Sequence, residues 1–418
     1  MSAADAQLGR SPVDGIRVVA EYTWNRLRQG ELGQLPALLG LFAIWTFFQV
    51  RQPTYLSARN VSNLVLQIGV TGTLAVGIVL VLLLSEIDLS VGSVSILCSA
   101  VLARVVVDQG WSWYWGIALM LGVGVAIGAF QGFWLAAVRV PSFVVTLAGL
   151  LGWQGVQQWV LGTTGTINVN EPHIAAIATT TLPADWGWGL AIGASAAYAG
   201  VRIQDQLRRR HVGLQAKPLV VVAVRTALVA ALSLLVVAVL NGDLNGVWVF
   251  GKTIYINRGV PTPGVILLGL VVFFAWLTTR TQLGRYTYAI GGSPEAARRA
   301  GINVTAIRIT VFSLCALLAS IAGLIQTSRL AAASQAIEPG QVTLEAIAAA
   351  VIGGTSLFGG RGNVWSALLG AVVIGSVANG LDLDGQQPYV KLIVEGAILL
   401  LFVTIDAFAR RGRRRSGA

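Results

Sequence analysis

The chain has 418 residues, of which 55% are hydrophobic and 11% charged, and its mean hydropathy is +0.73. A water-facing globular surface of this length does not have such a composition, so a membrane protein is expected. The 29 basic and 18 acidic residues leave a net charge of +11, but the cations sit between apolar runs and form no aromatic-basic face for bases to stack on, which argues against nucleic acid.

Residues 1–34 mix Arg10, Arg17, Arg26 and Arg28 with Asp5, Asp14, Glu21 and Glu31. They lack the basic start, short apolar run and cleavage site of a secretory signal, so they read as a retained cytoplasmic tail. Apolar runs follow at 35–50, 64–84, 89–107, 113–138, 143–161, 186–201, 219–240, 264–279, 309–327, 346–358, 364–378 and 392–408. They predict an all-α, polytopic transmembrane bundle of about twelve spans over 35–408, with a basic tail at 409–418. Several runs fall short of the ~20 residues that cross a bilayer upright, so broken or re-entrant helices are expected and ten spans is the alternative.

Short cytoplasmic loops retain Lys and Arg, which orients the bundle. With twelve spans one side collects both termini, Arg139, the run "RIQDQLRRRHVGLQAK" (202–217), Arg280, Arg285, Arg298, Arg299, Arg361 and the tail "RRGRRR". The other side keeps Arg51, Arg59, Lys252, Arg258, Arg329 and Lys391, so the first side, with both termini, is cytoplasmic. The stretch "GVWVFGKT" (246–253) fits the phosphate-loop pattern G-x-x-x-x-G-K-[ST]. It falls on the outer face, its variable positions are bulky, and Pro261 and Pro263 behind it resist a helix. The match reads as coincidence, and any ATP hydrolysis belongs to another chain.

Three polar clusters interrupt the apolar sequence. In "LLLSEIDLSVGSVS" (82–95), Glu86, Asp88, Ser90, Ser93 and Ser95 must face protein, water or a solute path rather than lipid. Asp88 either caps the following helix or takes part in gating. In "AVIGGTSLFGGRGNVWSALLGAVVIGSVANGLDLDG" (350–385), Gly353, Gly354, Gly359, Gly360 and Gly362 break a helix or let backbones approach closely. Paired glycine-interrupted segments point to a transporter's working centre, and "DLSVGSV" aligns with "FGGRGNV" through Gly92 and Gly362 as a hint of a repeat. The third, "AIGGSPEAARRAGINV" (289–304), predicts a helix of about two turns in the largest basic loop. Ser293 serves as N-cap, Pro294 as first residue and Glu295 as first-turn charge, and Gly301 ends it. Such a helix either covers the bundle's end or receives motion from a cytoplasmic partner.

Cys98 and Cys315 lie inside apolar runs and read as buried free thiols. His173 and His211 have no companion ligands, so no metal site and no cofactor is expected. Asp382 and Asp384 in "NGLDLDG" (379–385) read either as a solvated turn or as a contact for a soluble partner. Trp111, Trp113, Trp115, Trp186 and Trp188 read as an interfacial belt.

The three clusters together resemble permease subunits of bacterial ABC importers of monosaccharides, the ribose, arabinose and xylose branch. "EIDLSVGS" is similar to that family's most recognisable motif, "AIAAAVIGGTSLFGGRG" to its C-terminal glycine-rich motif, and 289–304 to its coupling-helix region; the agreement covers 36–408. "YLSARNVSNL", "VPSFVVTLAG", the insertion near 202–217 and "RGVPTP" resemble the D-xylose subgroup. Phe358 and Arg361 depart from the small residues usual in the glycine-rich motif. The resemblance implies a non-enzymatic subunit of the bacterial cytoplasmic membrane working as a homodimer. A cytoplasmic ATPase with two nucleotide domains would dock on the loop 280–306, through Gly292, Ser293, Pro294, Glu295, Arg298, Arg299 and Gly301. A periplasmic sugar-binding protein would dock outside. Glu86, Asp88, Ser90, Gly92, Ser93 and the five glycines would serve translocation or gating. An ion-coupled transporter or a passive channel is the alternative; a membrane enzyme fits worst, because no nucleophile or metal constellation is apparent.

Overall fold

Several helices in this chain start where the sequence supplies a side-chain cap. The computed structural model describes residues 35–212, 219–242, 247–249, 252–254 and 259–415. Its helices are α1 (Leu35–Arg51), α2 (Ala58–Leu83), α3 (Val91–Ala103, continued by a π-helical turn Arg104–Asp108), α4 (Trp113–Ala136), α5 (Ser142–Leu161), α6 (Pro172–Thr179), α7 (Ala184–His211) and α8 (Leu219–Leu240). The series continues with α9 (Thr262–Arg280), α10 (Gln282–Gly292), α11 (Pro294–Arg299), α12 (Val304–Leu330), α13 (Pro339–Ile352), α14 (Trp365–Leu383) and α15 (Pro388–Arg415). Ser57 Oγ accepts from Asn60 N–H to start α2 and Asn303 Oδ1 from Ala306 N–H to start α12, each removing an orphan donor.

Seven helical segments among the described residues are long and apolar enough to cross a membrane: Ala58–Leu83, Val91–Asp108, Trp113–Ala136, Val220–Leu240, Thr262–Arg280, Val304–Leu330 and Trp365–Leu383. α1 and α13 are apolar but shorter. A helical membrane protein is therefore what the chain builds. Four expected boundaries change. The run at 346–358 is helical only to Ile352, because Gly353 and Gly354 end α13. α7 continues through the first half of the basic stretch to His211, since Gln, Leu and Arg are good helix formers; residues 213–218 lie outside the described residues. α14 runs on to Leu383, so residues 379–383 of the expected turn are helical and only Asp384 and Gly385 turn, while Asp382 is exposed. Pro263 sits in the first turn of α9, where its missing N–H costs no hydrogen bond, and does not exclude a helix.

The chain divides into two compact units, one made of Gln34–Thr181 with Pro261–Val403, the other containing Leu182–Val260. In the second, α7 and α8 are joined by a Ser195–Ser233 hydroxyl pair at 3.0 Å. The phosphate-loop match falls here, where Val247–Val249 pairs antiparallel with Lys252–Ile254. Lys252 and Thr253 thus stand in a strand and not at a helix N-terminus, so the arrangement lacks the anion-facing helix that such a loop requires.

In the first unit every residue of α2 from Leu74 to Leu83 is buried, and α9, α12, α13 and α14 all lie against α2. The most extensive helix pair is α4 with α12. Gly124, Gly128 and Gly132, one per turn, face α12, and a Cβ at Gly128 would stand 2.7 Å from Ser313 Cα and 2.8 Å from Ala316 Cβ. This stripe of small residues is how helices approach closely where no water drives them together. Outward from this interior, Trp115, Phe130, Phe133 and Trp159 are exposed, as expected of a surface meant for lipid.

Gly128→Val is therefore expected to destabilise the detergent-solubilised chain by about 1–3 kcal/mol, the cost of overfilling a close contact. Gly122→Ala serves as the control, because a Cβ there meets nothing within 4 Å. Thermal unfolding followed by size-exclusion fluorescence checks the pair; equal midpoints would contradict the α4–α12 contact.

Candidate functional site

The turn between α2 and α3 carries carboxylates and hydroxyls into an apolar interior, and the first unit is arranged to receive them. Ser85 adopts a left-handed backbone, with φ of 63°. Its hydroxyl faces two acceptors, Gly291 O at 2.8 Å and Phe358 O at 3.0 Å. Gly360 N–H donates to Leu83 O at 3.2 Å. A Cβ at Gly291 would overlap Leu83 O, and one at Gly359 would overlap Ser85 Oγ. Gly354, Gly359 and Gly360 all take positive φ, which the loop from α13 to α14 needs to fold back onto this turn. Tyr288 of α10 donates to Gly362 O at 2.8 Å, and Gly353 sits so close to Ser366 O that no side chain fits.

Gly291 leads directly into α11. Ser293 Oγ accepts from Ala296 N–H, Pro294 is the first helical residue, and Gly301 with φ of +83° follows the end. Ala297 is buried and holds the helix down, while Glu295, Arg298 and Arg299 are exposed. A Cβ at Gly292 would meet nothing. The three clusters that the sequence singles out are thus in contact at one end of the unit: the α2–α3 turn, the glycine-rich loop, and the segment leading into α11. Phe358 and Arg361 are exposed on the same loop.

Beyond Ser85 the chain turns back into the bundle. Glu86 pairs with Arg308 of α12, Oε1 to Nη2, at 2.6 Å. Asp88 is buried and its Oδ1 accepts from Ser90 N–H at 2.8 Å and from Ser90 Oγ at 2.6 Å. The Cys315 thiol points at its other oxygen, at 3.7 Å. Cys315 lies eleven residues along α12 from Val304, or ~16 Å at the helical rise, so the turn returns well inside the bundle. Asp88 is not the N-cap of α3. Ser90 holds that position without a side-chain cap bond, and the free N–H of Gly92 is met instead by Thr343 Oγ1 of α13 at 3.0 Å.

Ser93 Oγ donates to Leu150 O at 2.8 Å, and Gln131 Nε2 donates to Ser90 Oγ at 2.9 Å. Gly92 lies against Pro339, so α3 and α13 both begin inside the unit with their first turns together. Gly92 and Gly362 occupy unlike places, one at a helix start and the other against Thr355 and Leu83, and no equivalence between them is visible in these contacts. The histidines behave as surface groups: His173 bonds Glu171 at 2.8 Å and stacks on Trp113 at 4.9 Å. Cys98 and Cys315 are buried and unpaired.

A family model described as branched-chain amino acid transport system, permease component, matches residues 60–403. The chain belongs to this permease family. The permease is 41% identical over 372 residues to the xylose transport system permease protein of Escherichia coli K12, covering 89% of both chains. The xylose transport system permease of Haemophilus influenzae is 36% identical over 385 residues, 88% of this chain and 94% of its own. The ribose import permease of Escherichia coli K12 is 33% identical over 371 residues, 88% and 92% of the two chains. No solved structure matches the permease significantly. The resemblance to the ribose and xylose branch is thereby established, and a permease family is not an enzyme family.

Sequence reasoning passed over Arg308, Gln131, Thr343 and Ser85. For Arg308 a signal existed, since it is a lone cation in the first turns of α12, directly before the apolar run 309–327, and such a charge needs a named partner. Gln131 and Thr343 had none, because their partner is a turn distant in the chain.

The Arg308–Glu86 pair is mostly shielded, at 20% and 11% side-chain exposure. Arg308→Met is expected to destabilise the permease by ~3 kcal/mol by stranding the carboxylate, and adding Glu86→Gln to recover most of that loss. A double-mutant cycle on thermal stability tests it; additive losses would show that the two groups are not coupled.

Proposed function

We propose that the permease forms the transmembrane pathway of an ATP-driven monosaccharide importer, with D-xylose as its cargo. The observation that carries this reading is the 41% identity to a xylose permease across 89% of both chains. The sugar-permease relatives take precedence over the amino-acid wording of the family description, because they agree with this chain nearly end to end. The importer sits in the bacterial cytoplasmic membrane with twelve crossings and both termini cytoplasmic, consistent with the side on which Lys and Arg collect.

Two copies of the chain line the pathway. A separate ATPase with two nucleotide domains docks on α11 within the loop 280–306, and a periplasmic sugar-binding protein docks at the opposite face. Glu295, Arg298 and Arg299 supply the exposed charges of the docking helix, and Gly292, Ser293, Pro294 and Gly301 set its shape. Movement of α11 passes through Gly291 to Ser85 and Leu83, and through Phe358 and Gly360 to the glycine-rich loop. Only the short Ser85 hydroxyl lies between these backbones, so a displacement at one is felt at the others. Glu86, Asp88, Ser90, Gly92 and Ser93 then gate the path, with Gly353, Gly354, Gly359, Gly360 and Gly362 as the facing wall. The permease itself does no covalent chemistry.

Purification in mild detergent with a crosslinker is expected to recover an ATPase with tandem nucleotide domains together with a sugar-binding protein. Proteoliposomes holding that assembly are expected to accumulate D-xylose only with ATP. Uptake that persists without ATP and collapses with an ionophore would establish the ion-coupled alternative in its place. Reversing the charges with Glu295→Lys and Arg298→Glu is expected to lower ATP-driven uptake about tenfold or more, the effect of ~1.4 kcal/mol lost at a docking surface. Unchanged uptake would remove α11 from the ATPase interface.

A further inference from the structure

At the end of α2 farthest from α11, three helices enclose an open cavity of about 310 Å³. Its polar lining is Asn60, Asn63 and Gln67 from α2, Arg329 from α12, and Asn379 and Asp382 from α14. The volume falls in the range of small-molecule pockets, ~300–1,000 Å³.

These six side chains divide by whether the protein already uses them. Asn60 Nδ2 donates to Asn379 Oδ1 at 2.6 Å and to Tyr55 O at 2.8 Å, which fixes both carboxamides as a rigid wall. Asp382 is held by Lys391. By contrast Asn63 and Gln67 make no hydrogen bond among the described residues, and Arg329, though it makes no hydrogen bond there, feels the charge of the Glu345 carboxylate behind it. Asn63 and Gln67 stand one turn apart on the same face of α2. Each carboxamide offers both donors and an acceptor, and the guanidinium adds donors only. Polar groups left free in a membrane-spanning helix should face a water-filled cavity rather than lipid, which is where these are.

The chemistry selects among ligands. A branched aliphatic side chain would need apolar walls, and Leu66 and Leu383 supply only a small patch. A simple anion or cation would want one sign of charge, whereas here the Arg329 guanidinium is offset by the Glu345 carboxylate and Asp382 already has its cation in Lys391. A neutral polyol fits. Each hydroxyl is donor and acceptor at once, and the C–H face of a sugar ring can rest on the two leucines.

We propose that this cavity is a monosaccharide site, in which Asn63, Gln67 and Arg329 hydrogen-bond the hydroxyls of a pentose on its way from the binding protein into the bundle. The proposal rests on the importer reading and deepens it. An open site with two unbonded carboxamides and one guanidinium holds the sugar weakly, as a transit site must if it is to release its cargo inward.

The test uses the permease reconstituted with its ATPase and binding protein, and D-xylose as the probe. The double variant Asn63→Leu, Gln67→Met keeps side-chain size and removes the hydrogen bonds. It is expected to lower the sugar moved per ATP hydrolysed about tenfold. A second variant guards against misfolding: Asn63→Cys places a thiol in the cavity, and D-xylose, but not L-leucine, is expected to slow its labelling by a hydrophilic reagent several-fold in proportion to occupancy. Cys98 and Cys315 are buried and stay silent. If the wild type imports D-xylose while the double variant matches it and labelling is unprotected, the site is refuted and the importer stands. If the wild type imports no pentose, both are refuted.

Discussion

The structure depends on one requirement: the polar turn after α2 must enter an apolar bundle with partners for its carboxylates and hydroxyls. Carboxylates and hydroxyls cannot face lipid without a cost of several kcal/mol, so the surrounding helices are committed to receiving them. Arg308 neutralises Glu86, Ser90 and Cys315 surround Asp88, Gln131 reaches Ser90, and Thr343 caps the start of α3. Those partners come from α4, α12 and α13, so the placement of three helices follows from one turn. The buried stretch of α2 then serves as the post against which α9, α12, α13 and α14 are set.

The same requirement explains the glycines. Where Gly291, Gly359 and Gly360 meet Leu83 and Ser85, no long side chain intervenes: Gly360 N–H bonds Leu83 O directly, and the short Ser85 hydroxyl bonds Gly291 O and Phe358 O. Contacts of that kind have few alternative arrangements, which makes them stiff, and stiffness is what a junction between an exposed helix and a buried turn needs in order to transmit movement. Phe358 and Arg361 are accommodated because their side chains are exposed, even though the Phe358 carbonyl accepts from Ser85. Their bulk and charge therefore leave the glycine packing intact.

Much of this was legible from residue order alone. The cap, proline and glycine around α11 are local signals, and local signals translate directly into a helix of defined ends. The apolar runs named the helices, and the carboxylates in 82–95 named the turn that had to be protected. Boundaries were read less well where a run changed composition without a breaker: α7 passed its charged residues and α14 passed Asn379 and Asp382, because a helix ends at a cap or a glycine and not at a change of polarity.

The sequence by itself determined membrane residence, the all-helical class, the family and the three clusters that matter, since each of these follows from composition or from contiguous motifs. Only the tertiary structure decided which residues meet. That Arg308 answers Glu86, that Thr343 caps α3 in place of Asp88, and that Asn63, Gln67 and Arg329 line one cavity are facts about segments up to 266 residues apart. The physical reason is that an unsatisfied polar group specifies that a partner must exist, and only the packing of helices in three dimensions selects which one.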